Sequence, residues 1–133
     1  MGQKLLVFLL ILLIFVLCKK NEENYLFDIG IENSFEIYET YNSVDRLLKF
    51  SISEINDSRC PIGAVCIWQG EAEVTIAFET PLIETIVLST YHNLKDTVMG
   101  YEIQLIDVTP YPELGKEIET EDYEVTLRIE KTD

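Results

Sequence analysis

Two segments of the chain alternate between apolar residues and residues that are mostly charged, and this pattern constrains the fold more than any other feature. The first covers residues 71–79, with the apolar residues Ala72, Val74, Ile76 and Phe78. The second covers residues 122–130, with the apolar residues Tyr123, Val125, Leu127 and Ile129. Because side chains alternate between the two faces of a strand, each segment predicts an antiparallel strand with one face in the core and the other in water.

Weaker alternation marks four further segments, at residues 34–39, 47–55, 83–90 and 101–108. The alternation changes phase near Leu105–Ile106 and between Ile52 and Ile55, and a β-bulge at each place explains the change. Loops are predicted at residues 41–45, 93–100 and 110–115, and no segment has a convincing helical period. Six or seven short strands predict an all-β fold, a single antiparallel β-sandwich, immunoglobulin-like in general architecture, over residues 31–133.

The N-terminus has the three parts of an export signal. Lys4 precedes an unbroken apolar run over residues 5–17, and the run ends abruptly at Cys18. A helix of this length spans about 20 Å, whereas the hydrocarbon core of a bilayer is about 30 Å thick, so a transmembrane helix is the weaker interpretation. We therefore predict a signal peptide over residues 1–17 and a polar tether over residues 18–30.

The sequence around Cys18 resembles a bacterial lipoprotein signal, in which the cysteine thiol is lipidated and becomes the mature N-terminus. The resemblance implies a lipid anchor at Cys18 and a location in the bacterial cell envelope, most simply at the outer membrane. That family usually has a small residue before the cysteine and leucine at the third place upstream, whereas this chain has Leu17 and Phe15. An ordinary signal with an incidental cysteine is the alternative.

The segment of residues 57–72 holds both remaining cysteines, Cys60 and Cys66. In an exported protein two nearby cysteines are expected to pair, and their C-x5-C spacing differs from the C-x-x-C of thiol oxidoreductases. We predict a structural disulfide, which in the chain-entropy model stabilises the fold by roughly 2–2.5 kcal/mol. A metal site and an exchanging thiol pair are the alternatives.

Arg59 and Trp68 flank this predicted loop. Arg59 can hold the loop to the sheet by a charge-assisted bond with Asp57, and Trp68 can cover the disulfide or pack beneath the loop. In the functional alternative, Arg59 and Trp68 form an exposed interaction surface, because both residue types are enriched at binding hot spots.

The charge of the chain excludes one class of partner. The 24 acidic and 10 basic residues give a net charge of -14, so no basic face can be assembled for nucleic acid. His92 is the only histidine and has no nucleophile motif around it, which predicts no catalytic residue. Residues 117–122 are acidic enough to attract Ca²⁺ but lack the spacing of an EF-hand loop, and we predict no metal site and no cofactor.

Three short motifs carry a second resemblance: Asp57-Ser58-Arg59-Cys60-Pro61, Cys66-Ile67-Trp68 and Gly70-Glu71-Ala72. They resemble motifs of short envelope lipoproteins of the Bacteroidetes type, a family without an established activity. Residues 100–105, 109–112 and 122–127 are similar to the same group, so the resemblance spans about residues 34–131. It implies a compact β-sandwich behind a lipid anchor and carries over no catalytic residues.

These observations favour a non-enzymatic envelope lipoprotein that binds or stabilises another protein. Its expected partners are the membrane, through the N-terminal lipid, and another envelope protein. One alternative is a module that binds a carbohydrate or Ca²⁺, with tyrosines lining the groove. The other is a secreted enzyme or a hydrolase inhibitor: the enzyme needs a cleft that gathers His92 with a carboxylate and a hydroxyl, and the inhibitor needs a protruding Cys60–Cys66 loop.

Overall fold

The computed structural model describes residues 25–133. The signal segment of residues 1–17, the lipidation site Cys18 and residues 18–24 of the tether lie outside the described residues. Within residues 25–133 the chain forms nine strands and one 3-10 turn, Thr120–Asp122. No helix in this part of the chain is long and apolar enough to cross a bilayer.

The strands form two sheets. The first has the order β1-β3-β4-β5-β6, with bounds Tyr25–Phe27, Thr40–Ser43, Lys49–Asp57, Ala72–Thr80 and Glu84–Ser89. The second has the order β2-β9-β8-β7, with bounds Glu32–Glu36, Glu124–Lys131, Tyr101–Thr109 and Lys95–Val98. All neighbouring strands are antiparallel except β1 and β3, which are parallel.

The all-β sandwich is therefore confirmed, and two details of the prediction are wrong. Residues 25–133 form nine strands rather than six or seven, because β1, β3 and β7, of three or four residues each, were not predicted. β3 and β7 lie in segments predicted to be loops. β1 lies in the predicted tether of residues 18–30, and its Phe27 is buried in the core, so the sandwich begins before residue 31.

Both predicted bulges are present. The register between β4 and β5 shifts between Ile52 and Glu54, and the register between β8 and β9 shifts between Leu105 and Asp107. The second bulge leaves Ile106 exposed while Leu105 and Val108 remain buried. A bulge adds one residue to one strand, which lets an apolar set keep facing the core after the phase change.

The core lies between the two sheets and contains the predicted inward faces. Ala72, Val74, Ile76 and Phe78 of β5 are buried, as are Val125, Leu127 and Ile129 of β9. Burying each of the larger of these side chains contributes about 1.5–3 kcal/mol. One end of the core is aromatic, and its rings pack edge to face or tilted with centroids 4.7 to 6.1 Å apart: Phe27, Phe35, Tyr41, Phe50 and Phe78.

One end of the sandwich, which we call the loop end, gathers three connections. β4 ends there and β5 begins there, joined by residues 58–71. The β6–β7 connection of residues 90–94 and the β8–β9 connection of residues 110–123 lie at the same end. β1 runs antiparallel to β4, and its register places Tyr25 in line with Tyr41 and Phe50, at the end of the sheet opposite the loop end.

Candidate functional site

Arg59 fixes the base of the loop that joins β4 to β5. Its Nε and Nη2 donate to the two carboxylate oxygens of Asp57 at 2.8 and 2.6 Å. Nη1 donates to the carbonyl of Val108 at 2.7 Å, and Nη2 also donates to that of Pro110 at 3.1 Å. The guanidinium lies 4.6 Å from the centre of the Tyr111 ring. Four hydrogen bonds and a ring therefore tie this loop to the end of β8.

Asp57 is held in its charged form by this arrangement. Burial by itself raises the pKa of Asp57, but the hydrogen bonds and the charge of Arg59 outweigh it, and the pKa is lowered. The hydroxyl of Tyr123 also donates to Asp57 at 3.1 Å. Burial and the neighbouring carboxylate raise the pKa of Tyr123 to about 12. The pair is a structural clamp, and the prediction that Arg59 lies on an exposed surface is wrong because its side chain is only 5% exposed.

The Cys60–Cys66 disulfide is confirmed, with the two Cα atoms 6.0 Å apart. A second connection fixes the loop from outside, because Ile62 pairs with Glu113 as an isolated bridge. The amide of Ile62 donates to the carbonyl of Pro112 at 2.9 Å, and the amide of Leu114 donates back to Ile62 at 3.0 Å. The loop is therefore held at its base, across its middle and against a neighbouring connection.

The outer surface of the loop is apolar and has no charge. No charged residue occurs between Cys60 and Gly70. Four large apolar side chains project into solvent, and we call this set the loop tip: Ile62, Val65, Ile67 and Trp68. Val65 and Ile67 are fully exposed, and Trp68 is 62% exposed. The exposure predicted for Trp68 is found, so its packing beneath the loop is excluded.

Sequence reasoning missed a cleft beside the loop tip. It has a volume of about 340 Å³, is open to solvent, and includes Arg59 in its lining. Its other polar and aromatic lining residues come from three connections and the bulge of β8: Gln69, Thr90, Tyr91, Asp107 and Tyr111. These residues are far apart in sequence. Of the features that form the cleft, only the β8 bulge and the loop of residues 110–115 were predicted from the sequence.

His92 lies next to the cleft in a cluster with a carboxylate and a hydroxyl. Its Nδ1 is 2.9 Å from Oε1 of Glu71 and 3.0 Å from Oε2. The hydroxyl of Ser89 also hydrogen-bonds Glu71, and the bonds from Ser89 and His92 lower the pKa of Glu71. Ser89 is buried, and its oxygen accepts the amides of His92 and Asn93 at 3.0 and 2.9 Å. The carboxylate thus lies between serine and histidine, whereas a nucleophile needs its base in direct contact.

Among residues 25–133, no group of three or more histidine, cysteine, aspartate or glutamate side chains is arranged to hold a metal ion. The acidic segment of residues 117–122 belongs to the β8–β9 connection. It follows Leu114, whose amide donates to Ile62 of the disulfide loop, and precedes Tyr123, whose hydroxyl donates to Asp57. This connection brings acidic residues to the loop end.

Comparison of the chain with protein-family models, with curated protein sequences and with solved structures finds no match.

Proposed function

We propose that this protein is a non-enzymatic, lipid-anchored component of the bacterial cell envelope that binds another envelope protein through the loop tip. The observation that carries the proposal is the loop tip itself. Contiguous apolar side chains exposed on a folded domain are typical of an interaction site. The disulfide and the bridge to Glu113 hold the backbone of this loop, so that little backbone entropy is lost when a partner covers the loop tip.

The proposed anchor rests on the sequence of the N-terminus. Lys4, the apolar run of residues 5–17 and Cys18 support export and lipidation. A lipid on Cys18 holds the domain at a membrane surface of the envelope, so an envelope protein is the class of partner within its reach.

The absence of catalysis is supported by the Ser89, Glu71 and His92 cluster. A serine nucleophile needs an exposed hydroxyl and a base that takes its proton. Ser89 is buried, its hydroxyl hydrogen-bonds Glu71, and its oxygen is occupied by two backbone amides. We assign this cluster to the turn between β6 and β7, which it closes.

The mass of the detergent-extracted protein tests the anchor. We expect the mass of residues 18–133 plus lipid, and thiol labelling of Cys60 and Cys66 only after reduction. A full-length mass without lipid contradicts the anchor and leaves the binding proposal to be judged by the next experiment.

Photo-crosslinking in intact cells tests the loop tip. A photoreactive residue placed at Ile67 is expected to give one discrete protein adduct, and Trp68→Ser in the same chain is expected to abolish it. The matched control is a photoreactive residue at Ile83, which is also highly exposed but lies between β5 and β6 at the opposite end of the sandwich. Equal adducts from both sites, or adducts of Ile67 with lipid alone, contradict the proposal.

A further inference from the structure

We propose that the cleft beside the loop tip accepts an arginine side chain of the protein partner. This inference rests on the proposed function for the existence of a partner, but the affinity of the cleft for a guanidinium group can be measured on this chain alone.

The only basic group lining the cleft, Arg59, is not available to an anion. A guanidinium has five N–H donors, and Arg59 makes four hydrogen bonds with Asp57, Val108 and Pro110. Its charge is also matched by the Asp57 carboxylate, with both oxygens engaged. Carboxylate and phosphate ligands are therefore disfavoured, although an arginine lines the cleft.

A negative charge remains after this pair is balanced. Asp107 lines the cleft, is exposed, and its Oδ1 accepts only the amide of the next residue, Val108, at 2.8 Å. Its second carboxylate oxygen, Oδ2, takes part in none of the hydrogen bonds found among residues 25–133. Glu71 adds a second carboxylate next to the cleft, where it pairs with the exposed ring of His92. Among the residues that line the cleft, Asp107 thus carries the charge without an ion pair, in a chain whose net charge is -14.

The aromatic lining favours a planar cation. Tyr91 and Tyr111 both line the cleft, and each ring is about half exposed. Arg59 already lies 4.6 Å from the ring centre of Tyr111, so Tyr91 is the lining ring left for a second guanidinium. An arginine can stack on a tyrosine and donate in parallel to a carboxylate, whereas a lysine ammonium provides only a point charge.

The position of the cleft makes it part of the same contact as the loop tip. Gln69 lines the cleft and directly follows Trp68. A partner that covers the apolar loop tip therefore passes over the cleft, and a charged residue beside an apolar centre is the usual anatomy of a protein interface. The chemistry of the partner follows: an apolar surface for the loop tip with an arginine at its border.

The test uses isotope-labelled full-length protein in detergent micelles and measures the backbone amide signals by NMR. The probes are the acetylated, amidated tripeptide Gly-Arg-Gly and the same peptide with citrulline, which has nearly the shape of arginine without its charge. We expect the arginine peptide to shift the amides of Gln69, Tyr91 and Asp107, and the citrulline peptide to bind about tenfold more weakly, the effect of losing charge-assisted bonds.

Asp107→Asn is expected to weaken binding of the arginine peptide by a similar factor of about ten. The matched control is Asp96→Asn on β7, because Asp96 also accepts the amide of its next residue, at 2.7 Å, and does not line the cleft. Equal affinity for the two peptides, shifts that map outside the cleft, or equal effects of the two substitutions overturn the inference. The crosslink from Ile67 is independent of these results, so a failed cleft and a failed partner proposal can be told apart.

Discussion

At the scale of single residues, Arg59 shows how a charge is accommodated inside a small sandwich. Its side chain donates to the carbonyl of Val108, near the end of β8, and to that of Pro110, just after β8. The carbonyl of Val108 belongs to a buried residue, where a hydrogen bond from a charged donor contributes more than it would in solvent. Arg59 therefore links two strands of different sheets, β4 and β8, by polar bonds rather than by packing.

Replacing Arg59 with methionine is expected to destabilise the fold by about 3–5 kcal/mol, because Asp57 is left buried without its counter-charge. The measurement is the free energy of unfolding from urea titration. The control is Lys95→Met, which breaks the exposed 3.0 Å pair with Glu102 and is expected to cost less than about 1 kcal/mol. Similar losses in both variants contradict the role of Arg59 as a buried clamp.

The lowered pKa of Asp57 predicts a loss of stability in acid. A carboxyl group with a lower pKa in the folded than in the unfolded chain stabilises the fold above its unfolded value, about 3.9. That contribution is lost as the pH falls through the lower, folded value. We expect the free energy of unfolding of Asp57→Asn to fall less steeply below about pH 4 than that of the natural chain. A residual slope remains because the pKa values of Asp45 and Glu71 are lowered as well.

At the scale of elements, Gly70 allows the disulfide loop to close onto the sheet. The amide of Ser58 donates to the carbonyl of Glu71 at 2.8 Å, and the amide of Cys60 donates to that of Gln69 at 2.7 Å, which continues the pairing of β4 and β5. Gly70 lies between these bonds with φ of 65°, and a Cβ atom there would stand 1.8 Å from the carbonyl oxygen of Ser58. Only glycine fits so close to a backbone atom in this conformation.

Gly70→Ala is therefore expected to destabilise the protein by more than Gly115→Ala. Gly115 also has a positive φ, 79°, but a Cβ atom there meets nothing within 4 Å. Its substitution carries only the conformational cost of about 1–2 kcal/mol, whereas at Gly70 the backbone of Ser58 must move as well. Thermal unfolding of the two variants measures the difference, and equal shifts in Tm contradict the close approach.

The longer elements were predictable from sequence, and the short ones were not. The six segments with alternation correspond to β2, β4, β5, β6, β8 and β9. Both changes of phase in the sequence correspond to register shifts in the sheets. They were predictable because the alternation extends far enough on each side to show the change. β1, β3 and β7 have three or four residues, which is too few for a period of two to stand out. β3 also reads Thr40-Tyr41-Asn42-Ser43, a sequence typical of a turn.

The candidate site was predictable only where neighbours in sequence are neighbours in space. The disulfide and the bond between Asp57 and Arg59 join residues six and two positions apart. The burial of Arg59 depends on β8, 49 positions later in the chain, and the cleft joins residues from 59 to 111. Such contacts are set by strand order and bulge position, which alternation alone does not specify.

At the scale of the whole molecule, the net charge of -14 works against the compact state. Salt screens this repulsion, so we expect Tm to rise between low and physiological ionic strength by about 4 °C, the equivalent of roughly 1 kcal/mol in a domain of this size. A variant with Glu117, Glu119 and Glu121 changed to Gln has a net charge of -14 + 3 = -11. Its Tm should be higher at low salt and respond less to salt. A Tm that falls with salt contradicts this, because ion pairs then outweigh the repulsion.

The short tether that we propose also affects how often the loop tip meets a partner. With a lipid on Cys18, the seven residues 18–24 can extend at most about 25 Å, so Tyr25 at the start of β1 stays within that distance of the bilayer surface. A membrane-bound partner is then searched for in two dimensions and at a high effective concentration. Modest intrinsic affinity is sufficient under those conditions, and a version of the domain released from its anchor should bind the same partner far more weakly.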